Sequence, residues 1–324
     1  TQAMAETDMY MEAPNGFTFD TGKKMNAKDY VLKIKRNYYG QKQGARVWNK
    51  HLVNKLIEAG FTQSEHEECL FFHGKSVYIL YTDDSLLTGP DPKEIDNIIK
   101  RMKDVGLKIT HDEGVNDFLG VNIQEQSDGS YNLTQPNLIK SILNDLRLSE
   151  DTTATKITPA PSTVKMRKYD DKSDFDNHFH YRSVVGKLNF LEKSTRPDIS
   201  YASHQCARYS ANPKAPHGKA IKHIGRYLFG TKDKGLILHP NTDLGFEIYA
   251  DADFAGTFNV LDKAHKDMAR SRTGYIIFYA GCPIYWQSKL QTEIALSTTE
   301  SEIISLSAAL RSVIPLLEIA KEMK

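Results

Sequence analysis

With 324 residues the chain is longer than one domain usually runs, and its 40% apolar and 26% charged residues are globular proportions. Forty-two Lys and Arg against 41 Asp and Glu exclude a global field that would gather nucleic acid or an acidic membrane, so any polyanion site has to be local. The three cysteines, Cys69, Cys206 and Cys282, stand far apart, which excludes a close-paired zinc site or an even-numbered disulfide framework and points to a reducing, intracellular compartment.

The N-terminal "TQAMAETDMYMEAPNG" lacks the basic and apolar regions of a signal peptide, and no run of about 18 apolar residues follows, so a soluble chain without a membrane partner is expected. Residues 30–38, "YVLKIKRNY", alternate apolar with basic and predict a half-buried strand with a positive outer face. A helix follows in "GARVWNKHLVNKLIEAGF", where Trp48, Leu52 and Leu56 recur every four positions and Gly60 is placed to end it. "CLFFHGKSVYILYTDDSLLTG" reads as strand, turn, strand, acidic turn, strand, with both faces of the last hairpin covered because its apolar residues are consecutive. The next helix has Asp91 as N-cap, Pro92 in its first turn and Gly106 at its end. "DFLGVNIQEQSDGSYNLTQ" reads as a hairpin around Asp128-Gly129, which makes residues 1–135 one α+β unit with an antiparallel sheet.

Residues 149–180, rich in Thr, Ser, Asp, Lys and Pro, predict an exposed linker. Three helices parted by Pro-containing turns come next, "YRSVVGKLNFLEKS", "RPDISYASHQCARYSA" and "PKAPHGKAIKHIGRYLFG", the third carrying Lys214, Lys219, Lys222 and Arg226. From about residue 243 strands return in "LGFEIYADADF", "RTGYIIFYAG" and "CPIYWQS", before a helix from Ser297 onwards. Trp48 and Trp286 read as core residues rather than base-stacking platforms.

Asp83 and Asp84 sit side by side between two apolar strands. Aspartate favours tight turns, and a hairpin tip in water accommodates both. Adjacent like charges repel, however, and raise one pKa unless a cation lies between them. Mg²⁺ takes carboxylate oxygens and keeps room for phosphate, and two such ions about 3.5–4 Å apart clamp the attacking and leaving oxygens of phosphoryl transfer.

"YTDD" between apolar strands resembles the Tyr-x-Asp-Asp motif of reverse transcriptases, in the branch of copia-type retrotransposons. "MYMEAPNGF" and "VLKIKRNYYGQKQGARVWNKHLVNKLIEAGFTQSEHEECLFF" resemble the stretch between that family's two palm carboxylate motifs. "RPDISYASHQCARYSANPKAPHGKAIKHIGRYLFGTKDKGL" is similar to its connecting region, and "YADADFAG" with "SRTGYIIFYAGCPIYWQSKLQTEIALSTTESE" to its ribonuclease H domain. The resemblance covers nearly the whole chain in the family's order and is weakest over 149–180.

The resemblance implies an α+β fold: a right-hand polymerase fingers and palm piece with the start of the thumb over 1–148, a linker with helical thumb or connection over 149–242, and a ribonuclease H-like α/β domain over 243–324. It makes Asp83 and Asp84 the catalytic palm carboxylates and Mg²⁺ ligands, with Mn²⁺ as a substitute. Tyr81 matches the motif's tyrosine, and Gln43 and Gly44 border the incoming nucleotide. Phe118, Leu119 and Gly120 match the hairpin that grips the primer end, against a plain hairpin core. Asp251 and Glu300 match the ribonuclease H metal carboxylates, with Asp253 and Glu302 as register alternatives. Lys214, Lys219, Lys222 and Arg226, together with Lys33, Lys35 and Arg36, are phosphate contacts or a solvated surface.

The implied partners are RNA template, DNA primer, RNA–DNA hybrid, deoxynucleotides and the integrase and protease segments of a Pol polyprotein, in a cytoplasmic particle with access to the nucleus. The family's first palm aspartate belongs before Thr1 and its third ribonuclease H aspartate after Lys324, so the chain by itself is expected to be inactive. The alternative is a decayed element fragment that binds nucleic acid at most. An unrelated metal-dependent nuclease would have to explain two separate carboxylate sites and both sets of flanking motifs.

Overall fold

The computed structural model describes residues 4–14, 30–36, 41–112, 114, 116–149, 154–161, 166–169, 172–256, 258, 260 and 265–323. Helices and antiparallel sheets share the chain, which divides into two units, Thr1–Asp112 with Leu317–Lys324 and Glu113–Leu316.

In the first unit β1 (Met4–Glu12) pairs with β2 (Val31–Arg36), and β3 (Thr62–Gln63), β4 (Leu70–His73), β5 (Ser76–Tyr81) and β6 (Asp84–Thr88) form an antiparallel sheet in chain order. Helices α1 (Gly44–Glu58) and α2 (Pro92–Asp104) pack on that four-stranded sheet. The apolar stripes Leu52 and Leu56 on α1 and Ile98 and Met102 on α2 meet Phe61, Phe71, Tyr78 and Leu80 in one core. Asp91 caps α2 by accepting from Lys93 N, and Gly60 and Gly106, both at positive φ, end the two helices as their sequence positions predict. The hairpin expected to be covered on both faces is covered on one. Ser76, Tyr78 and Leu80 of β5 point into the core, while Ile79 and Tyr81 are 37% and 57% exposed. Both helices lie against the same face, so consecutive apolar residues here do not mean two covered faces.

The second unit begins with β7 (Asp117–Phe118), β8 (Val121–Glu125) and β9 (Tyr131–Thr134). β9 also pairs antiparallel with β10 (Leu236–Leu238), a strand the sequence did not suggest. That pairing explains why the break between units falls at Asp112, whereas the sequence reading ran its first unit on to residue 135 and its first domain to 148. Between these strands lie α3 (Pro136–Asp145), α4 (Tyr181–Ser194), α5 (Ser200–Ala207) and α6 (Ala215–Gly230), around a core that includes Ile142, Leu188, Leu191, Ile199, Ile221 and Leu228. The segment expected to be an exposed linker is anchored to this core, because Met166, Phe175 and Phe179 are buried in it.

Strands β11 (Phe246–Asp253), β12 (Arg272–Tyr279) and β13 (Cys282–Leu290) make an antiparallel sheet in chain order. Helix α7 (Thr298–Glu322) turns Ser301, Ser305, Ala309 and Val313 inward, and Ala309 and Val313 meet Tyr275, Ile277, Ile248 and Ala250 of the sheet. By length and composition alone, α7 is also long and apolar enough to cross a membrane. Its inward stripe is that of a helix laid on a sheet. Trp286 of β13 donates from Nε1 to the Glu192 carbonyl of α4 at 2.8 Å, and so joins the sheet to the helices.

His217 fixes the start of α6. Its Nδ1 accepts from Lys214 N at 2.8 Å, its Nε2–H donates to the Arg167 carbonyl at 2.8 Å, and its ring stacks on Tyr209. Beside it, a Cβ on Gly218 would lie 2.5 Å from the Phe175 ring, whereas a Cβ on Gly186 of α4 would meet nothing within 4 Å. Gly218→Ala is therefore expected to destabilise by about 1–2 kcal/mol despite the better helix propensity, and Gly186→Ala to stabilise by up to about 1 kcal/mol. Urea midpoints of the two variants check this.

Candidate functional site

Tyr81 and Asp84 face each other as the last pair of the β5–β6 ladder, which leaves Thr82 and Asp83 as the two turn residues. Thr82 has φ 58°, and Asp83 is not at positive φ, the pattern of a type II′ hairpin turn with a β-branched residue where glycine is usual. Trp48 of α1 holds this turn, donating from Nε1 to the Thr82 carbonyl at 3.2 Å. Gln43 is the N-cap residue of the same helix, and Gly44, its first residue, is buried. The structure thus ties the acidic tip to the helix that begins with the two predicted nucleotide-binding residues. Asp83 and Asp84 are both exposed. Trp48, read from sequence as core, is only half-buried, and its indole N–H is what secures the turn.

Carboxylate oxygens on an exposed tip fit Mg²⁺ in kind, and one or two carboxylates plus substrate phosphates is a usual Mg²⁺ donor set. Among the described residues no three His, Cys, Asp or Glu side chains come together, so Asp83 and Asp84 bring two carboxylates.

Phe118, Leu119 and Gly120 form the β7–β8 turn in the second unit. Leu119 and Gly120, at φ 54° and 76°, are its two central residues, and Phe118 is half-buried. Lys214 is engaged by Asp174, 2.5 Å from its Nζ. Lys219 and Arg226 are exposed and Lys222 half-buried, at a spacing that puts all three on one face of α6. Lys33 pairs with Asp8 at 2.8 Å, and Lys35 and Arg36 are exposed.

Along β11 burial alternates: Ile248 and Ala250 face α7, while Asp251 and Asp253 are exposed on the other face. The Ser305 hydroxyl donates to the Asp251 carbonyl at 2.7 Å, which fixes α7 over this strand. Asp253 is tucked against the Gly256 backbone, where no side chain would fit. Glu300 serves the helix end. Its Oε2 accepts from Leu296 N at 2.7 Å and its own N–H donates to Ser297 Oγ at 3.1 Å, the pattern of a capping box. Ile304, Ser307 and Arg311 share a groove with Gln287 and Lys289 of β13, so that flank of α7 faces β13. Glu302 lies about 100° around the helix from Ser301 on the opposite flank, toward β11, whereas Glu300 lies on the β13 side.

The sequence reading also missed a basic cluster between α5 and β12, where His204 is pulled down to about 4 by burial and by Arg272, Lys289, Lys193 and Arg208.

The described residues and the comparisons agree on the class. Residues 2–161 match the family model described as reverse transcriptase (RNA-dependent DNA polymerase). The retrovirus-related Pol polyprotein from transposon RE1 of Arabidopsis thaliana is 34% identical over 94% of this chain. The putative transposon Ty5-1 protein YCL074W of Saccharomyces cerevisiae is 30% identical over 92% of this chain and 93% of its own length. The Pol polyprotein from transposon TNT 1-94 of Nicotiana tabacum is 30% identical over 98% of this chain. The chain belongs to the copia-type retrotransposon Pol polyproteins and carries their reverse transcriptase domain. It spans 20% of the RE1 polyprotein and 24% of the TNT 1-94 polyprotein.

Two outcomes are expected of this geometry. Trp48→Phe leaves the Thr82 carbonyl without its indole donor and should cost about 1 kcal/mol, while Thr82→Gly removes the strained φ and should cost nothing or stabilise, both read from denaturant midpoints. His204 stays neutral in the folded chain below the pH at which the unfolded chain protonates it. Its contribution is therefore complete above about pH 6.5 and is lost as pH falls toward about 4, on the order of 2 kcal/mol in all. Melting temperatures between pH 4 and 7 should fall less steeply for His204→Gln than for the parent.

Proposed function

We propose that this chain supplies the acidic hairpin of an RNA-directed DNA polymerase and part of an adjoining ribonuclease H-like domain. The observation that carries the reading is the Asp83–Asp84 pair on a strained β5–β6 tip, tied by Trp48 to the helix that starts at Gln43 and Gly44. Asp83 and Asp84 would hold Mg²⁺, or Mn²⁺ in its place, which when bound offsets phosphate charge and favours the ionised primer 3′-hydroxyl. The exposed ring of Tyr81 flanks the tip on the uncovered face of β5, where a primer end would lie. Gln43 and the buried Gly44 border the deoxynucleotide, Gly44 by letting backbone approach the sugar and phosphates. Phe118, Leu119 and Gly120 offer a half-exposed tight turn to the primer strand. Lys219, Lys222 and Arg226 give a basic face for phosphates; Lys214, already paired with Asp174, contributes least.

For cleavage of the RNA strand of a hybrid, Glu302 is the helix glutamate left available, since Glu300 is spent on the cap of α7, and Asp251 is the strand carboxylate left available, since Asp253 is engaged at the Gly256 turn. The Pol context supports a nucleic-acid substrate and other polyprotein segments as partners, with integrase and protease the expected ones and a cytoplasmic particle with nuclear access the expected setting. The absence of a three-carboxylate cluster among the described residues favours a second reading for this stretch taken alone, binding of nucleic acid without turnover.

Primer extension on a primed RNA template with Mg²⁺ tests the main reading. Within a Pol polyprotein of its relatives' length, Asp83→Asn should lower extension at least about 100-fold, a loss of about 2.7 kcal/mol of transition-state stabilisation, while leaving hybrid binding intact. Extension that survives the substitution would refute the assignment. Release of RNA fragments from a labelled hybrid should fall with Glu302→Gln and persist with Glu300→Gln.

A further inference from the structure

Arg272, at the start of β12, is 5% exposed, and its Nη1 donates to Ser288 Oγ at 3.2 Å. Its Nε and Nη2 are buried without a hydrogen-bond partner. Its guanidinium lies over the ring of Tyr201 in α5, 5.2 Å from the ring centre. Close by, His204 Nδ1 and Arg208 Nε are also buried and unpartnered. The charges that act on His204 from α4, the end of α5, β12 and β13 are all positive: Lys193, Arg208, Arg272 and Lys289. Asp253, opposite Arg272 in the β11–β12 ladder, is the acid nearest in effect, and its carboxylate is turned to Gly256.

Leaving two guanidinium N–H groups buried and unfilled is costly. The fold fills such donors where only structure is at stake, as at Arg196, which is 2% exposed and bonded to Asp198 and Thr231. On Arg272 the unfilled atoms are Nε and Nη2, the two that form one edge of the guanidinium and take two oxygens of a phosphate side by side. We propose that Arg272, with His204 and Arg208, forms a subsite for a phosphodiester group of a nucleic-acid strand, on the face of the β11–β13 sheet that also presents Asp251. The ring of Tyr201, exposed on its outer side and held at its hydroxyl by Gln205, lies over the guanidinium. The identity of the ligand rests on the nucleic-acid reading above; the existence of an anion site rests on the unfilled donors.

The test uses the whole chain with ¹⁵N-labelled arginine and histidine side chains. Inorganic phosphate should shift the Arg272 Nε–H and His204 ring signals saturably, and the His204 response should vanish in Arg272→Gln. In parallel, anisotropy with a labelled RNA–DNA hybrid should show about tenfold weaker binding by Arg272→Gln and a salt slope smaller by about one. The melting temperature of the variant should hold or rise, because an unpaired buried charge has gone. No phosphate-induced shift in the parent overturns the subsite, even if the hybrid still binds through Lys219, Lys222 and Arg226. A variant that melts lower yet binds phosphate and hybrid like the parent makes Arg272 structural and overturns it too. A phosphate shift with no hybrid binding upholds the anion site and refutes instead the nucleic-acid reading on which its ligand rests.

Discussion

The buried guanidinium of Arg196 is the constraint on which the helical part of the second unit depends. It sits at the turn between α4 and α5, bonds both oxygens of Asp198, and reaches the carbonyl and hydroxyl of Thr231 at the end of α6. Tyr227 adds a hydrogen bond to Asp198 at 2.6 Å. Burial alone would raise the Asp198 carboxyl, but the bonds from Arg196 and Tyr227 hold it below its ordinary value, so the pair stays charged. A guanidinium this deep is tolerable only because its donors are filled, and losing Asp198, which lies toward the surface, would strand it. Three helix ends are fixed by one side chain. The Glu192 carbonyl of α4 then receives Trp286, so the position of the β11–β13 sheet follows from the same network.

The two acidic sites rest on different physics. At Asp83 and Asp84 the position is local: a two-residue turn, a Thr at positive φ and an indole hydrogen bond set the tip. Asp251 is set by a ladder and by a hydroxyl from α7 to its own carbonyl, so its place depends on the packing of a whole helix. The tip is set within its own turn, whereas the strand cannot move without the sheet.

Much of this was legible in the sequence because it is written locally. Asp91 and Pro92, the glycines at 60 and 106, the strand, acidic turn and strand around "YTDD" and the strand pattern of 246–290 each act within a few residues. What escaped was long-range. Whether β5 is covered on one face or two depends on where α1 and α2 land, and the composition of 149–180 hides three aromatic or thioether anchors among polar neighbours. Glu300 and Glu302 are equivalent in composition, and only the cap at Leu296 and the register of Ser301 on the sheet tell them apart. The cluster at Arg272 joins residues about 70 positions apart, with no motif to announce it.

The pairing of β9 with β10 has a consequence in time. Leu133 meets Leu236, so closing that ladder brings together residues about 100 positions apart, a non-local contact of the kind that slows folding. On a ribosome adding about 5–20 residues per second, β9 would emerge some 5–20 seconds before its partner. Throughout that interval one side of the β8–β9 hairpin is an open edge, with Leu133 among its residues, and any other extended chain could pair with it. The newly made chain is thus most exposed to wrong pairing while α3 to α6 are being synthesised, and completion of α6 and β10 is the event that ends it.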